Sequence, residues 1–236
     1  MTDLIDTTEM YLKSIYELQE EGIPPLRARI AERLGHSGPT VSQTVARMER
    51  DGLVVVGGDR QLELTAAGQQ TAVRVMRKHR LAERLLTDVI KLDWEQVHTE
   101  ACRWEHVMSD LVERRLVALL DHPAHDPYGN PIPGLRELGE ELPEVEYLDG
   151  VVSLPRHLAA HGVRAGDQAR VVLQRIAEPV QVDVELLARF AEAGIFPRQV
   201  LVVAVGDGVV TVSGEGAPTV LDLPDDVARH LFVTAD

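Results

Sequence analysis

Apolar positions at helical spacing alternate with breaker residues along the first fifty residues of the chain. Three amphipathic helices are predicted, over about residues 6–22, 27–34 and 37–52. A short apolar β run at 53–56 and an alternating run at 61–64 then flank a Gly-Gly-Asp-Arg turn. Three helices followed by a β-hairpin is the order of a winged helix-turn-helix domain.

Downstream of the hairpin, the apolar spacing predicts three more helices, over about residues 66–90, 93–108 and from 110 onward. Their apolar faces are too large to be covered by a small winged domain, so we expect the chain to self-associate. Apolar β runs between 171 and 212, with a helix at about 184–193 among them, predict a separate small β domain.

Composition and charge restrict the class of protein. The 236-residue chain has a formal net charge of -14 and a single cysteine, which cannot close an intrachain disulfide. Residues 26–50, however, hold five arginines against two glutamates, a local charge of 5 - 2 = +3, and phosphate contacts depend on local charge. No apolar run is long enough for a transmembrane helix and the start lacks the features of a signal peptide, so we expect a cytoplasmic protein with no membrane partner.

The third predicted helix has the composition of a DNA-reading helix. Its apolar side holds Val41, Val45 and Met48, whereas the other side presents hydroxyls, an amide and arginines, which contact base edges and phosphates in a major groove. Positions at the start of the preceding helix and at the hairpin tip suit backbone contacts. The candidate DNA-binding residues are Arg27, Ala28, Ser37, Pro39, Thr40, Ser42, Gln43, Arg47, Arg50 and Arg60. The alternative is a winged helix that contacts protein and keeps its arginines solvated.

Metal-ligand residue types recur at helical spacing in the central helices. His79 and Glu83 are four residues apart, and the set His98, Cys102, Glu105 and His106 falls within an arc of about 100° if one helix carries it. His98 and His106 would lie roughly 12 Å apart along that helix, too far for one ion with bonds of about 2.1 Å.

Two metal sites are therefore predicted, one from His79, Glu83 and His98 and one from Cys102, Glu105 and His106. The second needs further ligands, which spacing cannot identify. Taken singly, these residues have ordinary explanations: a lone cysteine is commonly a small buried residue, and a lone histidine is commonly a satisfied core or surface side chain.

Six sequence motifs together resemble the diphtheria-toxin-repressor family of iron-dependent regulators. They are DTTEMYL at 6–12, PLRARIAERL at 25–34, SGPTVSQTVARMERDGL at 37–53, MRKHRLAERLL at 76–86, HTEACRWEHVM at 98–108 and GNPIPG at 129–134. The resemblance is dense over about the first 135 residues and looser beyond them.

The resemblance implies a full set of ligands for both sites and a domain plan. The primary, activating set is Met10, Cys102, Glu105 and His106, and the ancillary set is His79, Glu83, His98, Glu178 and Gln181. The implied fold is mainly α with small β parts, with a winged helix-turn-helix domain at 1–73, a helical metal-binding and dimerisation domain at 74–140, a linker at 141–150 and an SH3-like β domain at 151–236.

The resemblance also implies the function of an iron(II)-activated, non-enzymatic repressor that binds double-stranded operator DNA as a homodimer and controls iron uptake, siderophore and iron-storage genes. Two Fe(II) ions per subunit are expected, with cobalt, nickel, zinc or manganese as substitutes in vitro and no other small-molecule substrate. Met10 is expected to link the first helix to the other primary ligands. The alternatives are a manganese-responsive regulator of the same fold, a metal-dependent hydrolase using Glu105, and a metal-independent scaffold.

Overall fold

A computed structural model describes residues 6–143, 145–206 and 208–235. The chain forms two compact units. Unit 1 comprises Met1–Leu85, Glu100–Ala124 and Ile132–Tyr147, and unit 2 comprises Leu86–Thr99, His125–Pro131 and Leu148–Asp236.

Unit 1 begins with the predicted winged helix-turn-helix. Its elements are α1 (Thr7–Glu20), α2 (Arg27–Leu34), α3 (Gly38–Arg50), β1 (Val54–Val56) and β2 (Leu62–Leu64). The side chain of Asp6 caps α1 by accepting from the backbone N–H groups of Thr8 and Glu9. Gly35 ends α2 in a left-handed conformation with φ of 63°. The two strands pair antiparallel in the register Val54↔Leu64.

The core of this segment follows the helical spacing read from the sequence. Its largest fully buried members come from all three helices and from the second strand, and include Tyr11, Leu12, Ile15, Ile30, Met48 and Leu62. Burying such side chains contributes roughly 1.5–3 kcal/mol each, so this core fixes which face of α3 points outward.

Three further helices follow: α4 (Ala66–Leu85), α5 (Val97–Trp104) and α6 (Asp110–Leu119). The helix predicted over about 66–90 is helical to its expected end, although its geometry changes from α to π over Leu86–Ile90, before Lys91, which has φ of 62°. The helix predicted over about 93–108 was too long. It ends at Trp104, because Ser109 takes an extended conformation and caps α6 by accepting from the N–H of Val112.

A buried ion pair and a close-packed glycine tie later parts of unit 1 together. Arg77 Nε lies 2.9 Å from Glu113 Oε1, and both side chains are almost completely buried. Arg77 Nη1 also donates to the carbonyl of Gly134 over 2.7 Å. Gly134 has φ of 65°, and a Cβ there would lie 2.5 Å from Val73 Cγ1, which accounts for the last glycine of the GNPIPG motif.

Unit 2 contains a six-stranded antiparallel sheet in the order β3-β8-β4-β5-β6-β7. The strands are β3 (Val151–Ser153), β4 (Gln168–Ile176), β5 (Val200–Val205), β6 (Val209–Gly214), β7 (Leu221–Pro224) and β8 (Leu231–Thr234). The helices between them are α7 (Leu154–Ala160), α8 (Glu178–Gln181), α9 (Val184–Glu192) and α10 (Asp225–Ala228). The predicted fold class, mainly helical with a separate small β domain, is confirmed.

Among the described residues, no helix is both long enough and apolar enough to cross a membrane.

Candidate metal centre and nucleic-acid interface

The outward face of α3 carries the polar side chains predicted to read DNA. Val41, Val45 and Met48 are fully buried against the helical core. The candidates from this segment are all exposed, namely Ser37, Pro39, Thr40, Ser42, Gln43, Arg47 and Arg50. Ser37 and Thr40 also have a capping role, since the Ser37 hydroxyl accepts from the Thr40 backbone N–H and lies 2.8 Å from the Thr40 hydroxyl.

The remaining DNA candidates lie on α2 and on the hairpin turn. Ala28 is exposed, Arg27 is half-buried, and Arg60 is exposed with φ of 69°. Arg33, which contributed to the local positive charge, instead contacts Glu17 and Glu21 over 3.0 and 2.7 Å. The charge count in the sequence therefore overstates the free positive charge of this segment.

A lysine that the sequence reading missed lies among the predicted metal ligands of unit 1. Lys13 Nζ, on α1, is 2.9 Å from Glu105 Oε2, 3.1 Å from His79 Nδ1 and 3.9 Å from Cys102 Sγ. Glu105 Oε2 also lies 2.6 Å from His79 Nδ1. Glu105 and His79 are fully buried and Cys102 is partly buried, so a thiol, a carboxylate and an imidazole surround one ammonium group.

The third predicted primary ligand of the central segment, His106, is held by a second residue that the sequence did not reveal. His106 Nδ1 lies 2.7 Å from Glu9 Oε2 on α1, and its Nε2 lies 3.3 Å from Glu105 Oε1. Met10, next to Glu9, packs against the apolar core of the winged segment. Because α5 ends at Trp104, Glu105 and His106 lie in the turn after it, not on the single helical stripe that the spacing predicted.

Glu9 and Lys13 were recognisable from one signal only. They are four residues apart on α1 and share a helix face, and Glu9 adjoins the ligand candidate Met10. Their partners are about ninety positions away in the sequence, so spacing could not identify them.

The charges of this cluster shift its protonation equilibria. Burial alone would raise the pKa of Glu105, but the Lys13 charge and the hydrogen bond with His79 lower that pKa to about 2. Burial would lower the pKa of His106, yet the carboxylates of Glu9 and Glu105 raise it above its ordinary value. Both effects follow from placing cationic and anionic groups side by side in a poorly hydrated space.

His79 is the point at which the two predicted ligand sets adjoin within unit 1. Its Nε2 lies 2.8 Å from Glu83 Oε1, one helical turn along α4, while its Nδ1 faces Glu105. Both side chains are fully buried.

The other three ancillary candidates belong to unit 2. His98 Nδ1 lies 3.5 Å from Glu178 Oε2 at the start of α8. Gln181, at the end of α8, donates from Nε2 to the carbonyl of Ile176 over 2.7 Å. Its Oε1 is buried and has no hydrogen-bond partner. A buried, unpartnered amide oxygen is costly, and a cation is one group that would satisfy it.

The donor chemistry fits a divalent transition metal. Thiol, carboxylate and imidazole groups converge in unit 1, and the space between them already accommodates a positive charge, that of Lys13. In unit 2 an imidazole and a carboxylate lie together and a nearby amide oxygen lacks a donor.

Two family models match the chain. The description "Iron dependent repressor, N-terminal DNA binding domain" covers residues 3–62, and "Iron dependent repressor, metal binding and dimerisation domain" covers residues 65–134.

The chain belongs to the iron-dependent repressor family.

Full-length relatives support the same assignment of the repressor. It is 55% identical over 237 residues to the iron-dependent repressor IdeR of Mycobacterium tuberculosis strain H37Rv, with 99% of each chain covered. It is 52% identical over 238 residues to the diphtheria toxin repressor of Corynebacterium diphtheriae, again with 99% of each covered. A solved manganese-dependent transcriptional repressor in complex with manganese has a TM-score of 0.76 and 30% identity, covering 97% of this chain and 99% of its own.

These findings establish what kind of protein the repressor is. It is a metal-dependent, DNA-binding transcriptional repressor with a DNA-binding domain and a metal-binding and dimerisation domain. The hydrolase alternative is set aside, because the relatives are named as transcriptional repressors and these are not enzymes.

Proposed function

We propose that the repressor is activated by iron(II), acts in the cytoplasm, and as a homodimer controls genes for iron uptake, siderophore synthesis and iron storage. The observation that supports this most is the cluster of Cys102, Glu105 and His106 around side chains of α1. Metal-ligand chemistry is thereby joined to the helix that opens the DNA-binding segment.

The proposed primary ligands are Met10, Cys102, Glu105 and His106. The proposed ancillary ligands are His79, Glu83, His98, Glu178 and Gln181, giving two ions per subunit. A bound ferrous ion would supply a divalent charge and coordinate bonds that join residues distant in the sequence. His106 is prepared for this role because Glu9 orients its ring through Nδ1 and leaves Nε2 directed at Glu105.

Iron is favoured over manganese by the softness of the primary set. A thiolate with a thioether prefers softer ions, whereas manganese sites are built from oxygen and nitrogen ligands. The resemblance to the family implies that its manganese-sensing branch has a carboxylate at the position of Cys102, and the relatives at 55 and 52% identity carry iron-repressor or toxin-repressor names. A Cys102→Asp variant is therefore expected to shift the preference toward manganese.

We propose that the exposed side of α3, with Gln43 at its centre and Arg47 and Arg50 toward its end, enters the major groove of operator DNA. The flanking contacts come from Arg27, Ala28 and Arg60, and from Ser37, Pro39, Thr40 and Ser42 at the start of the reading helix. The exposed face of α3 supports this role, since its inner face is committed to the core.

The proposed homodimer uses apolar side chains around α6. Four large apolar residues of this segment remain between 45 and 69% exposed, namely Val107, Leu111, Val112 and Leu119. An apolar patch of this kind on a chain with a dimerisation domain suits a two-fold interface. Two copies would then present two reading helices to successive major grooves.

Side chains of α1 connect the ligand cluster with the reading helix. Glu9 and Lys13 contact His106 and Glu105, while Tyr11 OH lies 2.8 Å from His36 Nδ1, one residue before the cap of α3. Restraining α1 would therefore restrain the start of the reading helix. An equilibrium between an inactive state and the DNA-competent state moves from 1:99 to 99:1 when metal binds the DNA-competent state more tightly by about 5.5 kcal/mol.

The proposal is tested by DNase footprinting of an operator library with ferrous iron and with chelator. Cys102→Ala should abolish iron-dependent protection while the protein keeps its helical circular dichroism spectrum. Gln43→Ala should weaken operator binding but retain metal affinity. Equal protection in chelator and in ferrous iron would refute activation by metal.

A further inference from the structure

Lys13 occupies the middle of the ligand cluster in unit 1. Its ammonium contacts Glu105, His79 and Cys102, three residues drawn from the two predicted ligand sets. The lysine residue is only 6% exposed. Lysine is rarely buried to this degree unless its charge is compensated, and here the compensating group is the Glu105 carboxylate at 2.9 Å.

The ammonium group uses the same lone pairs that a metal ion would need. Lysine offers three N–H donors and no acceptor, so its contacts with Glu105 Oε2 and Cys102 Sγ each occupy a lone pair of the carboxylate or the thiol. A divalent cation bound by those atoms would also be repelled by a positive charge a few ångströms away, in a space where water screens little. The ammonium and a metal ion therefore exclude each other from these donors.

We propose that Lys13 is an internal cation that competes with divalent metal for Glu105 and Cys102, and so sets the metal concentration at which the repressor's centre fills. This inference rests on the proposed metal-binding function of those residues. It adds a residue that determines metal affinity without being a ligand.

The same helix offers the displaced ammonium another carboxylate. Glu17 Oε1, one turn further along α1, is 3.9 Å from Lys13 Nζ and lies outside both predicted ligand sets. Exchange between Glu105 and Glu17 requires a change of side-chain rotamer, with no unfolding of α1. Release of the donors thus involves the helix that carries Met10 and leads into the DNA-binding segment.

A merely structural ion pair makes the opposite prediction for metal binding. If Lys13 only held Glu105 in place, removing its charge would disorder the donors and weaken metal binding. If Lys13 competes, removing its charge would free the donors and strengthen metal binding, even though the protein in chelator becomes less stable.

The test is isothermal titration of the full-length protein with Co(II), together with the cobalt d–d absorption that reports ligand type, and thermal unfolding in chelator. Lys13→Met keeps the length of the side chain without its charge, and is expected to bind Co(II) about tenfold more tightly, equivalent to about 1.4 kcal/mol at 25 °C. Lys13→Arg keeps the charge and is expected to stay near the wild-type affinity. Lys91→Met, at an exposed position of unit 2, is the control for net charge.

The outcomes separate this inference from the proposed function. Wild-type protein that binds no Co(II) would overturn both. Wild-type binding with unchanged or weaker binding by Lys13→Met would overturn competition by Lys13 alone, as would equal tightening in Lys13→Arg or Lys91→Met. Should Lys13→Met not fold in chelator, Lys13→Gln, which keeps a hydrogen-bond donor, is measured against the same expectation.

Discussion

The donors around Glu105 in unit 1 and the amide of Gln181 in unit 2 are both metal-ligand candidates, but the protein treats them in opposite ways. In unit 1, Lys13 and Glu9 contact the donors directly, and Glu105 is hydrogen-bonded to both a lysine and a histidine. In unit 2, Gln181 Oε1 is buried without a hydrogen-bond partner. The chain itself supplies a counter-cation to the first group, whereas the second retains an oxygen that no donor satisfies.

This difference separates two ways of preparing a metal site. Donors held by internal charges are assembled before metal arrives, but the metal must compete for them. An unpartnered buried oxygen costs free energy until a cation or donor reaches it, so binding there displaces no protein contact of that atom. Substitutions in unit 1 should therefore change folding strongly, whereas the matching change in unit 2 should change metal binding and leave folding almost unaffected.

The largest effect is expected from Glu105→Ala. It removes the carboxylate that compensates the buried Lys13 ammonium, and breaking a buried pair by deleting one partner typically costs about 3–5 kcal/mol. Urea unfolding in chelator should show a loss at the lower end of that range. Glu100→Ala is a control nearby on α5: its ion-pair partner Arg103 is 57% exposed, and with the hydrogen bond from Trp104 Nε1 also lost it should still cost clearly less, about 1 kcal/mol.

The cause of that loss can be isolated with a double substitution. Lys13→Met combined with Glu105→Ala removes both charges, so the pair should recover at least half of the stability lost in Glu105→Ala alone. A double variant as unstable as the single one would show that the lysine charge is not the source of the loss.

A smaller effect is expected from Glu9→Gln, which weakens the contact with His106 Nδ1. Glu9 is 28% exposed, so the loss of stability should be about 1 kcal/mol, below the usual value for a charged hydrogen bond. The raised pKa of His106 stabilises the fold below the ordinary histidine pKa of about 6.5, and that contribution disappears as the pH rises through the raised pKa. The variant should therefore be more destabilised, relative to wild type, in mildly acidic than in alkaline buffer.

Metal affinity gives a second measurement on Glu9→Gln. Loss of a residue that orients a ligand typically costs 10–100-fold, so about a tenfold weaker Co(II) affinity is expected. Glu32→Gln, an exposed position on α2, is the control. Equal stability profiles for the two variants at all pH values would mean that the Glu9 contact with His106 has no energetic role.

The sequence predicted a structural element well where neighbouring residues determine it, and poorly where residues distant in the sequence do. The helix at 27–34 was predicted to the residue, because an apolar face and a following glycine are local signals. The helix predicted to reach 108 ends at Trp104, because the competing cap at Ser109 overrides helical spacing. Strands β3, β7 and β8 were not predicted.

The candidate ligands illustrate the same limit. Spacing along one segment found His98 and Cys102 and grouped them with Glu105 and His106. It could not find Lys13, because a lysine on an amphipathic helix normally extends into solvent, and its burial here depends on a carboxylate 92 positions away. Long-range charge compensation leaves no periodic signal in a sequence.

A still smaller change in the free energy of unfolding is expected from Gln181→Leu in unit 2. The substitution loses the donation to the Ile176 carbonyl, but that oxygen still accepts from Asn130 Nδ2 over 3.1 Å, and the unpartnered Oε1 is removed. Stability in chelator should change by less than about 1 kcal/mol. The Co(II) isotherm should lose or weaken one of two binding events. Gln174→Leu, which loses a hydrogen bond to Thr234, should keep both, and loss of an event there would show that the isotherm does not report on Gln181.

The smallest effect concerns two histidines, one in each unit, whose pKa values shift in opposite directions. In unit 2, burial and the stacked ring of His161, 4.1 Å away, lower the pKa of His157. As the pH falls, the unfolded chain therefore takes up a proton at this histidine before the folded chain does. The contribution of His157 to the stability of the fold is complete above the ordinary histidine pKa and is lost as the pH falls, which is the reverse of His106.

His161→Gln should raise the pKa of His157 and reduce the loss of stability on acidification, by at most about 0.5 kcal/mol because His161 is exposed. Urea unfolding in chelator at two pH values, with NMR titration of the His157 ring, measures both quantities. In a His157→Gln background the same substitution should have no further effect on the acid dependence. An undiminished effect there would assign the acid response of unit 2 to a group other than His157, and the contrast between the two units would then lie in their donors alone.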